Sequence, residues 1–236
     1  MPFFHSNYTP PNGNGLDFIY RDESLLAVNK PAGLLAVPGR GEDKQDCLAT
    51  RVQKEFPNAL IVHRLDMATS GLLVLARGIE MQSRLSRLFR ERLVMKRYVA
   101  VIAGKLEPAA GEIELPLASD WSYRPKQKVD SVIGKPSLTR YRVLGYEKHA
   151  YPSTSLRYAQ GERGMGISRV ELEPVTGRTH QLRVHMAAIG HPIVGDALYG
   201  GHEAERLMLH ACLLSFAHPL SGEVLDLSCE PPFWMQ

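Results

Sequence analysis

Along this 236-residue chain the apolar positions fall mostly in short runs bounded by polar, Gly- or Pro-containing breaks. That pattern predicts many strands and few helices. Residues 16–21 and 24–29 read as two short strands separated by the polar turn Arg21-Asp22-Glu23. Lys30-Pro31-Ala32-Gly33 then breaks the pattern, and Val37-Pro38-Gly39-Arg40-Gly41 reads as a loop. Over 47–56 the spacing becomes helical, with Leu48, Val52 and Phe56 on one face and Pro57 as the stop. Segments 60–62 and 72–76 are candidate buried strands on either side of a polar, acidic turn. Between 79 and 93, Met81, Leu85, Leu88 and Phe89 keep helical spacing, with arginines on the other face. Residues 98–102 make a strand rich in branched and aromatic side chains, ended by Gly104.

In the second half, 112–117 and 137–146 continue as strands around a polar, basic loop at 119–128. The stretch 148–166 is rich in Gly, Ser and Tyr without a clear period, and is expected as a long hairpin or flexible insertion. A strand at 170–172 leads into a turn at Pro174 to Gly177. Thr179 is the expected N-cap of a helix ending at Gly190, with Pro192 just beyond. Segments 207–216 and 224–227 supply the last strands. No internal repeat or low-complexity tract interrupts this order. Many strands with three clear helices predict an α+β fold with a mixed, largely antiparallel sheet flanked by helices and loops. Residues 1–15 read as a flexible leader and 16–236 as one domain.

Composition narrows the class. With 44% hydrophobic and 22% charged residues the chain is an ordinary globular one, long enough for a real core. It has no apolar run of membrane-spanning length and no secretory signal pattern at its start. Cys47, Cys212 and Cys229 are odd in number, widely spaced and without a CxxC pair, which argues for a reducing compartment and against a disulfide framework or zinc site. The expected location is the cytoplasm. The net charge of +3 says little, but its distribution says more. Arg84, Arg87, Arg90, Arg92, Lys96 and Arg97 crowd one segment, and Arg124, Lys126 and Lys128 another. Such local basic surfaces suit phosphate backbones, with a solvated helix or loop face as the alternative.

Asp66 is the first candidate for chemistry. It sits with His63 and Arg64 in a turn that runs into an apolar strand, and nearby cations favour its ionised form. An ionised aspartate serves as nucleophile or base, whereas an aspartate in a turn also commonly caps backbone amides. Arg183, between Leu182 and Val184, is expected to be partly buried and to need an anion; Asp66 or a structural carboxylate would serve. Tyr98 reads either as a core tyrosine or as a platform for base stacking. The stretch 120–128, with Trp121 and Tyr123 among Arg124, Lys126 and Lys128, suits stacking combined with phosphate contact. His63, His180, His185, His191 and His210 lack metal-ligand spacing, and Gly33, Gly39 and Gly41 form no nucleotide-binding motif, so no metal or cofactor is expected.

Five segments are similar to the RluA-type pseudouridine synthases, and they occur in that family's order. They are DESLLAVNKPAGLLAVPG (22–39), HRLDMATSG (63–71), KRYVAVIAG (96–104), RPKQKV (124–129) and TGRTHQLRVHMAAIGHPIVGDALYG (176–200). The resemblance implies the pseudouridine synthase fold, a bent sheet with the active-site cleft across it, as a stand-alone catalytic domain over 16–236 with no S4 domain. It implies an RNA isomerase that needs no cofactor and takes stem-loops of 23S ribosomal RNA and/or the tRNA anticodon stem-loop. The sequence shows no coiled coil and no large apolar face, so a monomer is expected, and without a long apolar run no membrane partner is expected. By the resemblance, Asp66 is the catalytic carboxylate, Arg183 pairs with it, and Tyr98 stacks on the uracil and takes part in proton transfer. Arg64 contacts RNA or fills the space left by the base. Lys30, Thr69, Arg124, Lys126, Lys128, Arg178 and Gln181 are the further RNA contacts.

Overall fold

The computed structural model describes residues 8–13, 15–148 and 166–233. They gather into two compact units, one made of the chain up to Val94 with Ser215–Cys229, the other of Met95–Leu214 with the segment from Glu230. The 148–166 stretch lies outside the described residues except at its two ends, Lys148 and Gly166.

The first unit is built on β1 (Phe18–Arg21), β2 (Leu25–Lys30), β3 (Ala59–Ile61) and β4 (Ser70–Arg77), with α1 (Leu48–Glu55) and α2 (Ile79–Arg90). β4 is buried from Ser70 to Ala76, so its apolar run is that of a strand covered on both faces. β2 pairs antiparallel with it, Leu25 opposite Ala76 and Lys30 opposite Gly71, while β1 pairs with β2 and β3 with the far end of β4. The Arg21-Asp22-Glu23 turn forms as expected: Ser24 N–H and Leu25 N–H both donate to Asp22 Oδ1. α1 opens on Cys47, whose sulfur accepts from Thr50 N–H while Thr50 Oγ1 accepts from Cys47 N–H. α2 buries Met81 and Leu85 and stops at Arg90, three residues before the sequence pattern suggests.

Residues 1–7 and 14 of the leader lie outside the described residues. Its described part is tied down. Tyr8 Oη donates to Asp46 O at 2.9 Å and accepts from Leu35 N–H at 3.1 Å, and Pro11 O accepts from Arg51 Nη2 at 3.0 Å. A phenol in a half-buried place needs such partners, and here it finds them in backbone polar groups.

The second unit holds β5 (Met95–Ala103), β6 (Ala110–Glu114), β7 (Leu117–Ser119), β8 (Gln127–Val129), β9 (Leu138–Glu147), β10 (Ile167–Pro174), α3 (Gln181–Ala188) and the greater part of β11 (Leu209–Ala217). Its main sheet runs β6-β9-β10-β5 with antiparallel registers throughout. Val101, Ile167 and Val194 form a small core with Met208, Ala204 and Phe233 packed on it. The last strand, β12 (Val224–Ser228), belongs to the first unit, as does the end of β11 from Ser215.

Two local expectations change. The 119–128 loop is a hairpin: β7 and β8 pair, Leu117 opposite Val129 and Ser119 opposite Gln127, around a single turn of 3-10 helix at Trp121–Tyr123. Strands of three residues carry too little alternation to be read from sequence. The N-cap of α3 is His180, not Thr179, with a left-handed backbone at φ 54 and no side-chain cap bond. The C-terminal end is as expected, with Gly190 at φ +85 before Pro192.

Candidate active site

In the first unit Asp66 lies in the turn between β3 and β4, half-buried, and the backbone of that turn is fixed from two sides. Thr69 N–H donates to Asp66 O at 3.1 Å and closes the turn on itself. Met67 O accepts from Gly33 N–H at 2.8 Å and from Lys30 Nζ at 3.1 Å, which ties the turn to the segment after β2. Gly33 has φ +83, a backbone that glycine adopts without strain. On the other side His63 Nε2 accepts from Val74 N–H at 2.9 Å, and its ring stacks on Phe89 of α2 with centroids 4.3 Å apart. His63 and Arg64, three and two residues before Asp66, thus differ in role: His63 is an internal brace, while Arg64 is exposed to solvent.

Lys30 and Thr69 are not where an RNA contact would be. Lys30 is fully buried at 0% exposure, and Nζ donates to Pro31 O at 2.9 Å and Leu34 O at 2.7 Å as well as to Met67 O. An ammonium group is tolerated in the interior only with its donors engaged, and three carbonyls meet that need. Thr69 is buried too. Both residues build the turn that carries Asp66.

In the second unit, Tyr98 lies on β5 opposite Leu172 of β10, where the strand passes from partly exposed to fully buried. Arg183 is on α3 with its side chain 6% exposed, and its carboxylate partner in this unit is Asp196, itself 0% exposed. Nε and Nη2 donate to Asp196 Oδ2 and Oδ1 at 2.8 and 2.7 Å, a bidentate pair. Asp196 Oδ1 also accepts from Leu198 N–H and Tyr199 N–H, so the carboxylate is held by its own loop.

Gln181 is a correction like Lys30. It is buried, and its amide oxygen accepts from Thr176 Oγ1 and Arg178 N–H while its nitrogen donates to Leu138 O and Thr139 Oγ1. It staples the start of α3 to β9 rather than reaching outward. Arg178 is partly exposed, with Nε donating to Pro136 O at 3.3 Å. On the hairpin, Arg124 and Lys128 are exposed and Lys126 is partly so. Arg124 lies over the Trp121 ring at 3.6 Å, and Trp121 and Tyr123 are 70% and 69% exposed.

Sequence reasoning missed Asp196, Tyr199 and the part played by His185. Asp196 and Tyr199 lie in the segment GDALYG, where the close Asp–Tyr spacing was the only local signal. His185 is buried on α3, with Nε2 on Leu115 O at 3.0 Å and Nδ1 on Thr139 Oγ1 at 2.9 Å. A carbonyl only accepts, so Nε2 carries the proton, and burial holds the imidazole below its ordinary pKa. Its bonds run to protein atoms, as do those of His63 and His180.

A braced acidic turn in an α+β fold, with a buried arginine–aspartate pair and an exposed basic, aromatic hairpin, defines a class that comparison with known proteins makes explicit. The model of the RNA pseudouridylate synthase family matches residues 24–188. The chain belongs to this family and is an RNA pseudouridine synthase, an isomerase. It is 46% identical over 231 residues to the dual-specificity RNA pseudouridine synthase RluA of Escherichia coli (strain K12), a match covering 96% of this chain and 98% of that protein. To the protein of the same name from Vibrio parahaemolyticus it is 48% identical over 218 residues, covering 91% and 82%. Among solved structures, human RNA pseudouridylate synthase domain containing 1 matches with a TM-score of 0.75 at 32% identity, covering 96% of this chain and 88% of that one. The expected fold class is therefore the observed one.

Proposed function

We propose that this enzyme isomerises specific uridines in stem-loops of 23S ribosomal RNA and/or the tRNA anticodon stem-loop, with Asp66 as the catalytic carboxylate. The reaction breaks the C1′–N1 bond, turns the uracil within the site, and rejoins it through C5, with the C5 proton passing to solvent and N1 regaining one. No oxidant, reductant or transferred group enters. The observation that carries the assignment is the bracing of the Asp66 turn by Thr69, Gly33, Lys30 and His63, which fixes one carboxylate while its neighbour Arg64 stays exposed. Preorganisation of this kind is what a nucleophile or base requires.

Tyr98 would stack on the flipped uracil and take part in proton transfer at C5. Arg183, its guanidinium oriented by the Asp196 carboxylate, would keep Asp66 ionised. Flipping the uridine out of its stack costs a few kcal/mol, and contacts from Arg64 and from the 119–128 hairpin would offset that cost. Among the described residues no helix is long and apolar enough to cross a membrane. A cytoplasmic monomer is the reading that goes with an RNA substrate and with cysteines that form no disulfide among the described residues.

Mapping pseudouridine in total rRNA and tRNA from a strain lacking the gene, complemented with wild type or with Asp66→Ala, tests the proposal. Particular sites should vanish, and wild type alone should restore them. Restoration by Asp66→Ala would remove Asp66 from the chemistry.

A further inference from the structure

Tyr199 lies beyond residues 24–188, the span of the family match, and the chemistry above makes no use of it. Yet it touches three parts of the second unit that do matter. Its hydroxyl accepts from Gln127 N–H on β8 at 2.8 Å and lies 2.7 Å from His180 Nδ1 at the start of α3. Its ring stands edge-on to His180 and lies 5.2 Å from the Arg183 guanidinium carbon. Its own amide donates to Asp196 Oδ1, the carboxylate that grips Arg183.

We propose that Tyr199 is a positioning residue for the reaction: its hydroxyl sets the β7–β8 hairpin against the N-terminus of α3, so that RNA held by the hairpin is registered to Arg183. This rests on the RNA-contact role given to the hairpin above. A two-stranded hairpin of three-residue strands is marginal by itself. Its orientation therefore depends on a few ties. One is the bridge between Leu117 and Lys135 at its base, and another is the bond from the outer edge of β8 at Gln127 to Tyr199. The hairpin presents Trp121, Tyr123 and Arg124 to solvent, so a change in its angle moves the stacking and phosphate-binding groups together. At the other end of the tie, His180 keeps a left-handed backbone that costs a non-glycine residue free energy and persists where surrounding contacts impose it.

Tyr199→Phe removes the hydroxyl and keeps the ring beside Arg183, so it separates the tie from the packing. The test compares wild type and Tyr199→Phe on in vitro transcribed, unmodified tRNA and 23S rRNA fragments, each with and without Lys126→Ala/Lys128→Ala. With the tie lost, KM should rise roughly five- to tenfold, the equivalent of one hydrogen bond. The kcat and the unfolding midpoint should stay close to wild type. The lysine pair should also cost less in the Tyr199→Phe background than in wild type, the non-additivity of groups that act through one element. An unchanged KM, or equal fold losses in both backgrounds, overturns the role of Tyr199 while wild type still makes pseudouridine. Wild type that makes none in any of these RNAs overturns the proposed function and this inference with it.

Discussion

Arg183 on α3 and Asp196 in the following loop form a bidentate pair at 2.8 and 2.7 Å, both side chains almost wholly out of water. Two charges in the interior are stable only while paired, and removing one strands the other. Asp196→Asn should therefore cost about 3–5 kcal/mol in unfolding free energy. It should also lower kcat by about tenfold or more, because the guanidinium loses its orientation. Denaturant unfolding and single-turnover assays report the two separately. An apolar double replacement, Arg183→Met with Asp196→Leu, should recover stability without recovering activity. Recovery of both would make the pair purely structural.

Lys30 makes the opposite forecast from the one its charge suggests. Since its ammonium group is spent on the carbonyls of Pro31, Leu34 and Met67, Lys30→Met should lower the thermal midpoint and slow turnover through the Asp66 turn. The dependence of RNA affinity on salt should stay the same, because no phosphate contact is lost.

The hairpin cations should behave in the other way. Replacing Arg124, Lys126 and Lys128 together by Ala should flatten the plot of log affinity against log salt by about 2, at about 0.7 for each single-strand phosphate contact. Lys128 should contribute the least, since Asp130 already sits 3.1 Å from its Nζ. An unaltered slope would mean that the hairpin does not meet the RNA backbone.

His185 gives a pH signature. Burial depresses its folded-state pKa below 6.5, and Nε2–H on Leu115 O offsets only part of that shift. Below the unfolded pKa the unfolded chain takes up a proton that the native imidazole refuses, so stability falls as pH drops from about 6.5 toward the lower folded value. The slope from this one group is at most about 1.4 kcal/mol per pH unit. Unfolding midpoints between pH 7.5 and 5.5 should fall in wild type and fall less steeply in His185→Asn.

How much of this was legible in the sequence depended on whether the signal was local. The strands β2 and β4 and the helices α1 and α2 announce themselves, because a buried run, or an apolar face every third or fourth residue, is written in consecutive positions. Asp66 stands out for the same reason: an acid among cations at the head of an apolar strand is a short-range pattern. The hairpin of β7 and β8 was not legible, since strands of three residues have no period to detect. α3 gave no amphipathic face from which to choose its start, because Gln181 to Met186 are buried all round. His180 and its φ of 54 could not be anticipated when the contact that accompanies it, Tyr199, lies nineteen residues away.

By itself, then, the sequence determined the class of fold, the acidic turn and the family of chemistry, all of which follow from short-range order and motif. Only the tertiary structure decided the use of each charge. Lys30, Gln181 and Thr69 carry polar groups that a reader places at the surface, yet folding drew them inside, where backbone and side-chain partners compensate the loss of water. The pairing of Arg183 with Asp196 was decided in the same way: no local rule links positions 183 and 196, and the loop that carries Asp196 brings the carboxylate to a guanidinium that burial had left in need of one.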